Sequence, residues 1–306
     1  MNYTLHQLQV FHTVSRTGSI TRAAEELHLS QPAVSIQVRN LQEQFEIPLM
    51  ESIGRKIFIT EFGKEIAEAA GRILNEVNAI NSKAAAYKGE LIGTLKITVV
   101  STGKYVMPAF LSDFMKHHPG IELVLDVTNR ARVRESLEKN EVDLVLVSVM
   151  PENLQVEEIE LMENKLFLVG SGGKLHENEI ADHKILQNIP LIFREPGSGT
   201  RHIMESYIKQ KKIKVTKKME LTSNEAVKQA VIANLGYSIM PLIGIRNELK
   251  TGSVHIIPVE DFPIKSLWKL VWLKGKKLSP VAQSYVDYLR VNKERIIREN
   301  FGEVGE

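Results

Sequence analysis

Three short helices with a hairpin, a linker helix and then a two-lobed α/β region make up the fold class that this 306-residue sequence predicts. Three observations lead there. Residues 4–45 place apolar side chains at helical spacing, interrupted at Gly18-Ser19 and at His28-Leu29. Residues 61–89 carry a seam of apolar residues at steps of four and three. Beyond Gly89–Gly93 the pattern becomes strand, loop, helix, repeated over about 200 residues, which calls for parallel strands flanked by helices. That length is better served by two small lobes than by one.

The elements follow in order. Leu5, Leu8, Phe11 and Val14 mark the first helix. Ser19 caps a second, about 20–27, through Ala23, Ala24 and Leu27. Ser30 caps a third over 31–45, with Pro32 in the first turn, where its missing N–H costs nothing. Val34, Val38, Leu41 and Phe45 give that helix one buried face. A hairpin over 48–60 turns near Gly54-Arg55, and Thr60 caps the long helix, whose seam is Ile66, Ala70, Ile73, Val77, Ile80, Ala84 and Tyr87. So narrow a seam implies a partner helix; packing on the chain's own body is the alternative. Strands are expected at 95–100, 122–128, 142–148, 166–170, 190–193, 237–240 and 268–273. Helices are expected at 107–117 and 133–139, and after Gly197-Ser198-Gly199-Thr200, Ser223 and Ser279-Pro280.

Composition excludes several classes. With 43% hydrophobic and 25% charged residues the chain is globular in composition, and no window reaches the roughly 18–20 apolar residues of a membrane span. Cysteine is absent, which removes disulfides, thiolate nucleophiles and Cys-based metal sites. Met1–Gln7 lacks the basic-then-apolar pattern of a secretory leader, so the expected place is the cytoplasm. Charge is uninformative at first sight. Residues 1–60 hold five basic groups (Arg16, Arg22, Arg39, Arg55, Lys56) and five acidic ones (Glu25, Glu26, Glu43, Glu46, Glu51).

Position says more than sum. Three helices with a tight turn before the third, then a hairpin, form a winged helix-turn-helix pattern. The polar flank of helix 31–45 suits a major groove. Gln31 can pair with adenine, Ser35 with several bases, and Pro32 and Ile36 can touch thymine methyls, while Ser30 and Arg39 flank them. Arg55 and Lys56 sit at the hairpin tip, where a wing meets the backbone or minor groove. On pattern alone a helical protein-interaction module stays open.

The string Leu5-His6-Gln7-Leu8, Ala23-Ala24, Leu27 through Ser35, and Leu49, Thr60 and Gly63 resembles the DNA-binding domain of LysR-type transcriptional regulators. The resemblance runs on through a linker helix into a two-lobed effector domain of the periplasmic-binding-protein-like kind. Two positions depart from it. Leu49-Met50-Glu51-Ser52 stands where the family commonly has Leu-Phe-x-Arg, and Ile36 stands where Arg is frequent.

In the second half, loops at strand ends should converge on a cleft between lobes. They carry Ser101, Thr102, Gly103 and Lys104; Thr128, Asn129 and Arg130; Ser148; Arg194 through Arg201; and Ser223-Asn224. The site residues expected to touch an effector are Ser101, Thr102, Lys104, Thr128, Asn129, Ser148, Arg194, Ser198, Gly199, Thr200, Arg201 and Asn224. Hydroxyls, helix starts and fixed cations are chemistry for an anion. Gly103-Lys104 lacks the flanking residues of a nucleotide-binding loop, no Gly-x-Ser-x-Gly elbow occurs, and no His cluster has zinc spacing. Hence neither a catalytic centre nor a metal is expected; a two-lobed anion-binding protein or an enzyme with a helical module is the alternative. Val99–Thr102, Asn140–Leu144, Arg194–Arg201, Ser223–Ala230, Leu278–Pro280 and Ile53–Lys56 resemble the LysR subgroup that controls carbon-fixation operons, the CbbR type. Thr128 stands where that subgroup often has Gly.

The resemblance implies a DNA-binding regulator with no cofactor and a small anionic effector, which could be a phosphorylated metabolite, a sulfur oxyanion or a carboxylate. Its expected partners are double-stranded DNA, a second copy through the linker helix and a homotetramer beyond it, with RNA polymerase a further candidate and no membrane. The expected division is 1–60 for DNA, 61–90 for the linker and 91–306 for the effector. Lobe I takes about 91–162 and 268–306, and lobe II about 163–267, with closure about crossover strands near 162–165 and 265–268.

Overall fold

The computed structural model describes residues 2–53, 56–86, 91–151, 153–171 and 180–302, the side chains at 52–53, 56, 78–79 and 81–86 excepted. Two compact units, Met1–Glu90 and Leu91–Glu306, divide the chain.

The first unit opens on α1 (Leu5–Thr17), α2 (Ile20–Glu26) and α3 (Gln31–Gln42). Each start is fixed by a hydroxyl accepting an otherwise unpaired backbone N–H: Thr4 from Gln7, Ser19 from Arg22, and Ser30 from Ala33. Gln7 returns the bond to the Thr4 N–H at 2.8 Å, completing a capping box. Strands β1 (Met50–Ile53) and β2 (Lys56–Ile59) pair antiparallel, Met50 opposite Ile59, and α4 (Glu61–Ala86) follows. Leu8, Phe11, Val14, Ala23, Ala24, Val34, Val38, Leu41 and Leu49 close one core. Helix α3 ends three residues before the expected stop, and Phe45 packs from beyond it against Tyr3 and Phe62. At Gly63 a Cβ would fall 1.9 Å from the Leu49 carbonyl oxygen, so the start of α4 seats against the hairpin only without a side chain there.

The long seam divides in two. Ile66 and Ala70 pack into the unit's own core with Ala67, and His12 Nδ1 meets the Ala67 carbonyl oxygen at 3.0 Å. Ile73 and Ile80 remain 41% and 63% exposed. Among the described side chains of the seam, it is this second stretch that stays exposed to another helix; Tyr87 and the side chain of Ala84 lie outside the described residues.

The second unit runs β3 (Gly93–Val100), α5 (Met107–His117), β4 (Ile121–Thr128), α6 (Arg130–Glu138), β5 (Leu144–Val147), β6 (Val156–Gly170), α7 (Ile185–Asn188), β7 (Pro190–Arg194), α8 (Gly199–Gln210), β8 (Thr216–Leu221), α9 (Asn224–Ile232), β9 (Ser238–Pro241), α10 (Arg246–Thr251), β10 (His255–Ile256), β11 (Ile264–Leu273) and α11 (Pro280–Phe301). Its main sheet orders β10-β6-β11-β5-β3-β4, with β9 also on β6; β7 and β8 form a separate parallel pair. The main sheet is therefore mixed, not purely parallel. β3 is parallel to β4 and β5, whereas β11 is antiparallel to both β5 and β6.

That antiparallel pair links two cores. Ile159 and Leu161 of β6 and Trp268 and Leu270 of β11 belong to one, with Phe110, Phe114 and Tyr285. Leu166 and Leu168 belong to the other, with Phe193, Tyr207 and Ile239, and Ile264 packs against it. Between them buried Asn164 donates to Ser266 Oγ at 3.1 Å. The first half of β6 does not read as strand in the sequence, because Glu157, Glu158, Glu160 and Glu163 mask it. Lys269 answers two of these charges, at 2.7 Å from Glu158 and 3.0 Å from Glu160.

Candidate DNA-binding face and effector cleft

On α3, the inward positions Val34, Val38 and Leu41 are fully buried, which turns Gln31, Pro32, Ser35, Ile36 and Arg39 outward together. Ser30 is exposed at the helix start, so its N–H groups face the same solvent. Ile36 is 46% exposed, an apolar residue whose setting calls for an apolar partner. Arg39 lies 3.9 Å from Glu43, both well exposed, an ion pair of little strength in water. Gln42 is a residue the sequence pattern did not single out. Its side chain accepts from the Leu49 N–H and donates to the Ile47 carbonyl at 3.3 Å, tying the end of α3 to the approach of the hairpin. Arg55 lies outside the described residues, as does the side chain of Lys56.

In the second unit, three helical starts and one strand end line a single cleft. The turn at Ser101–Tyr105 contributes Ser101 and Thr102, the start of α6 contributes Asn129 and Arg130, and the start of α8 contributes Ser198, Gly199 and Thr200. Ser148, just past β5, completes it. Asn129 and Ser198 cap their helices, accepting from Arg132 at 3.0 Å and Arg201 at 3.4 Å. The leading N–H groups of α6 and α8 have no acceptor within their own helices and carry the positive ends of the helix dipoles. Gly197 takes a left-handed backbone, φ +86°, which turns the chain into α8 and leaves only Ala131 of the facing lobe 3.6 Å from where a Cβ would sit. The cleft holds about 10 Å³ in this arrangement, space for about one water. A cavity of about 420 Å³ adjoins it through Ser148, lined by Met150, Glu163, Lys265, Ser266 and Leu267.

The remaining expected residues divide. Arg194 is 3% exposed and grips Glu195 through two hydrogen bonds of 2.7 and 2.8 Å. It also donates to Ser101 Oγ at 3.3 Å, where Asn224 donates at 3.2 Å, so one serine of the first lobe is held by two groups of the second. Lys104 is exposed, 5.0 Å from the Tyr105 ring. Hydrogen bonds from Gln229 and Lys228 hold the Glu225 carboxyl below its usual range, and the charge of Lys104 adds to this. Thr128, at the end of β4, is half-buried but does not line the cleft. Nor does Arg201. Its guanidinium is spent on Glu205, Glu220 and the Arg194 carbonyl, at 2.6, 2.6 and 2.9 Å. Burial works against its charge, but these carboxylates outweigh that and raise its pKa. Glu205, one helical turn on, is local to it, whereas Glu220 reaches it only through the pairing of β8 with β7.

Residues 5–64 match the family model described as bacterial regulatory helix-turn-helix protein, lysR family, and residues 88–293 match that of the LysR substrate binding domain. The chain belongs to the LysR family of transcriptional regulators. This LysR regulator is 38% identical to the HTH-type transcriptional activator CmpR of Synechocystis sp., over 96% of this chain and 97% of that one. It is 39% identical to the RuBisCO operon transcriptional regulator of Acidithiobacillus ferrooxidans, over 94% and 93%. The expected likeness to carbon-fixation regulators is thus borne out. The regulatory domain of CcmR from Synechocystis PCC6803 in complex with 2-PG superposes with a TM-score of 0.64 at 32% identity, covering 66% of this chain and 98% of that one. As a LysR regulator the chain is not an enzyme. Among its described residues no helix is long and apolar enough to cross a membrane.

Proposed function

We propose that this regulator senses a small phosphorylated or carboxylated anion of the kind that 2-PG (2-phosphoglycolate) represents, and that the cleft between the lobes is its receptor. The observation that carries this is the convergence of three helical starts, with the hydroxyls of Ser101, Thr102, Ser148, Ser198 and Thr200, on one cleft. Asn129 and Gly199 offer backbone N–H groups, Arg130 adds positive charge, and Asn224 reaches the cleft through its hydrogen bond to Ser101 Oγ. Arg194 and Arg201 act by positioning, since Glu195, Glu205 and Glu220 already occupy them. A cleft with space for about one water admits such an anion only if the lobes part. The motion falls on β6 and β11 near Asn164 and Ser266, and the anion acts by binding one arrangement more tightly than the other.

The DNA half of the proposal assigns Ser30, Gln31, Pro32, Ser35, Ile36 and Arg39 to the groove and Arg55 and Lys56 to the wing. Paired copies, joined through the exposed stretch of α4 and assembling further into a tetramer in the cytoplasm, read half-sites about 34 Å apart.

Thermal unfolding of the full chain with 2-phosphoglycolate, glycolate, inorganic phosphate and sulfate tests the sensor. At a hundredfold excess over Kd, a cognate anion stabilises by about 2.7 kcal/mol. The substitution Thr200→Val combined with Thr102→Val is expected to remove that shift while leaving DNA affinity without ligand intact. A shift that persists in the double variant would move the receptor elsewhere, and a chain that none of these anions stabilises would end the anion reading.

A further inference from the structure

Residues 209–218 read Lys-Gln-Lys-Lys-Ile-Lys-Val-Thr-Lys-Lys, six lysines in ten positions, with no acidic residue between Glu205 and Glu220. They span the end of α8, the turn after it, and β8. Elsewhere in this unit many cations are answered, among them Arg132 and Lys139 by Glu135, Arg134 by Glu138, and Lys269 by Glu158 and Glu160. In this segment two are answered, Lys211 by Asp261 at 2.6 Å and Lys217 by Glu220 at 3.0 Å. Lys209, Lys212, Lys214 and Lys218 are exposed and have no carboxylate partner among the described residues.

The backbone keeps them outward. Lys212 sits in a left-handed conformation, φ +55°, that ends the helix, while Ile213 between Lys212 and Lys214 turns in and is 7% exposed. In β8 the register slips between Leu191 and Ile192: Lys217 faces Leu191 and Met219 faces Ile192, so Lys218 is an extra residue. Such a bulge breaks strand alternation, and both lysines reach solvent. Lysines on an outer strand also guard against edge pairing. That accounts for Lys217 and Lys218 but not for Lys209, Lys212 and Lys214, which lie off the strand.

We propose that this patch is a second nucleic-acid surface, binding the phosphate backbone of the duplex without reading bases. The inference rests on the chain being a DNA-binding regulator. Its first sixty residues carry five positive and five negative groups, so the base-reading domain has no net charge with which to attract a polyanion. The patch supplies the charge that domain lacks. Tethering makes it effective: once the recognition helices hold a site, flanking duplex stands at high local concentration, and a weak contact adds to the whole.

The test is binding of the full chain to a long random-sequence duplex across a salt series, for wild type and for the variant Lys209→Gln, Lys212→Gln, Lys214→Gln, Lys218→Gln. Each phosphate contact adds about 0.9 to the slope of log K against log salt, so removing four is expected to lower the slope by about 3.6. Its melting temperature should stay unchanged, since these side chains are exposed and unpaired, and the four Lys→Arg replacements should keep the wild-type slope. An unchanged slope in the glutamine variant overturns the proposal. So does unaltered DNA binding with lost binding to RNA polymerase, which would make the patch a protein contact. A wild-type chain that binds no duplex would overturn the DNA-binding reading as well; one that binds with a slope the variant leaves untouched overturns the patch alone.

Discussion

Arg194→Ala should cost about 3 kcal/mol of stability and abolish the stabilisation by anions. The arginine is 3% exposed, and its two bonds to Glu195 are of the bidentate kind that delocalised guanidinium makes well. Removing it strands a carboxylate whose side chain is only 15% exposed. Breaking a buried pair from one side costs about 3–5 kcal/mol, because the remaining charge stays unpaired, and the residual exposure of Glu195 sets the value at the low end. Function suffers for a different reason. Ser101 Oγ loses one of its two donors from the facing lobe, and the Arg194 carbonyl that holds Arg201 loses its fixed position. Urea unfolding followed by tryptophan emission reads the cost, both tryptophans (Trp268 and Trp272) being buried on β11. A loss below about 1 kcal/mol would mean that Glu195 rehydrates freely and that the pair is not structural. Arg194→Ala with Glu195→Gln should regain most of the stability and none of the anion response.

Val38→Asp should eliminate DNA binding while sparing the response to anions. Val38 has no solvent exposure and lies between Val34 and Leu41 on the face that seats α3. An unpaired carboxylate in that core costs at least about 3 kcal/mol, a large share of what a domain this small can hold. Once α3 leaves its seat, Gln31, Ser35 and Ile36 no longer share a surface. The cores around Phe110 and Phe193 have no member in the first unit, so thermal stabilisation by 2-phosphoglycolate should persist. A variant that still shifts promoter DNA at wild-type concentrations would show that α3 is not the reading element. One that loses both responses would show that the two units do not fold independently.

Much of this was legible because short-range chemistry decides it. Ser19, Ser30, Ser198, Ser223 and Ser279 stand at helix starts, and each accepts a leading N–H of its helix; α6 begins at Arg130, three residues before the expected 133, because Asn129 caps it in the same way. The outward face of α3 follows from the spacing of Val34, Val38 and Leu41. What stayed hidden depends on partners distant in sequence. The glutamates of β6 look unlike a strand until Lys269, more than a hundred residues on, answers them. Thr216–Leu221 looks like a polar loop, since only Met219 and Leu221 turn partly inward, yet it pairs along β7. Arg201 looks free until Glu220 arrives from β8. The seam of α4 looks uniform, although α1 takes its first turns and leaves the later ones exposed. Position in a loop identified the cleft; it could not say which cations were already spent.

An anion in the cleft is proposed to govern how the recognition helices sit on DNA. DNase footprinting of the full chain on the promoter region beside its own locus, with and without 2-phosphoglycolate, tests it most directly. The expected result is a protected region whose edges or hypersensitive bands shift when the anion is added, and a footprint from Thr102→Val with Thr200→Val that is the same with and without it. A wild-type footprint that the anion leaves unchanged, at concentrations that do stabilise the protein, would show that the cleft does not control the DNA-bound arrangement.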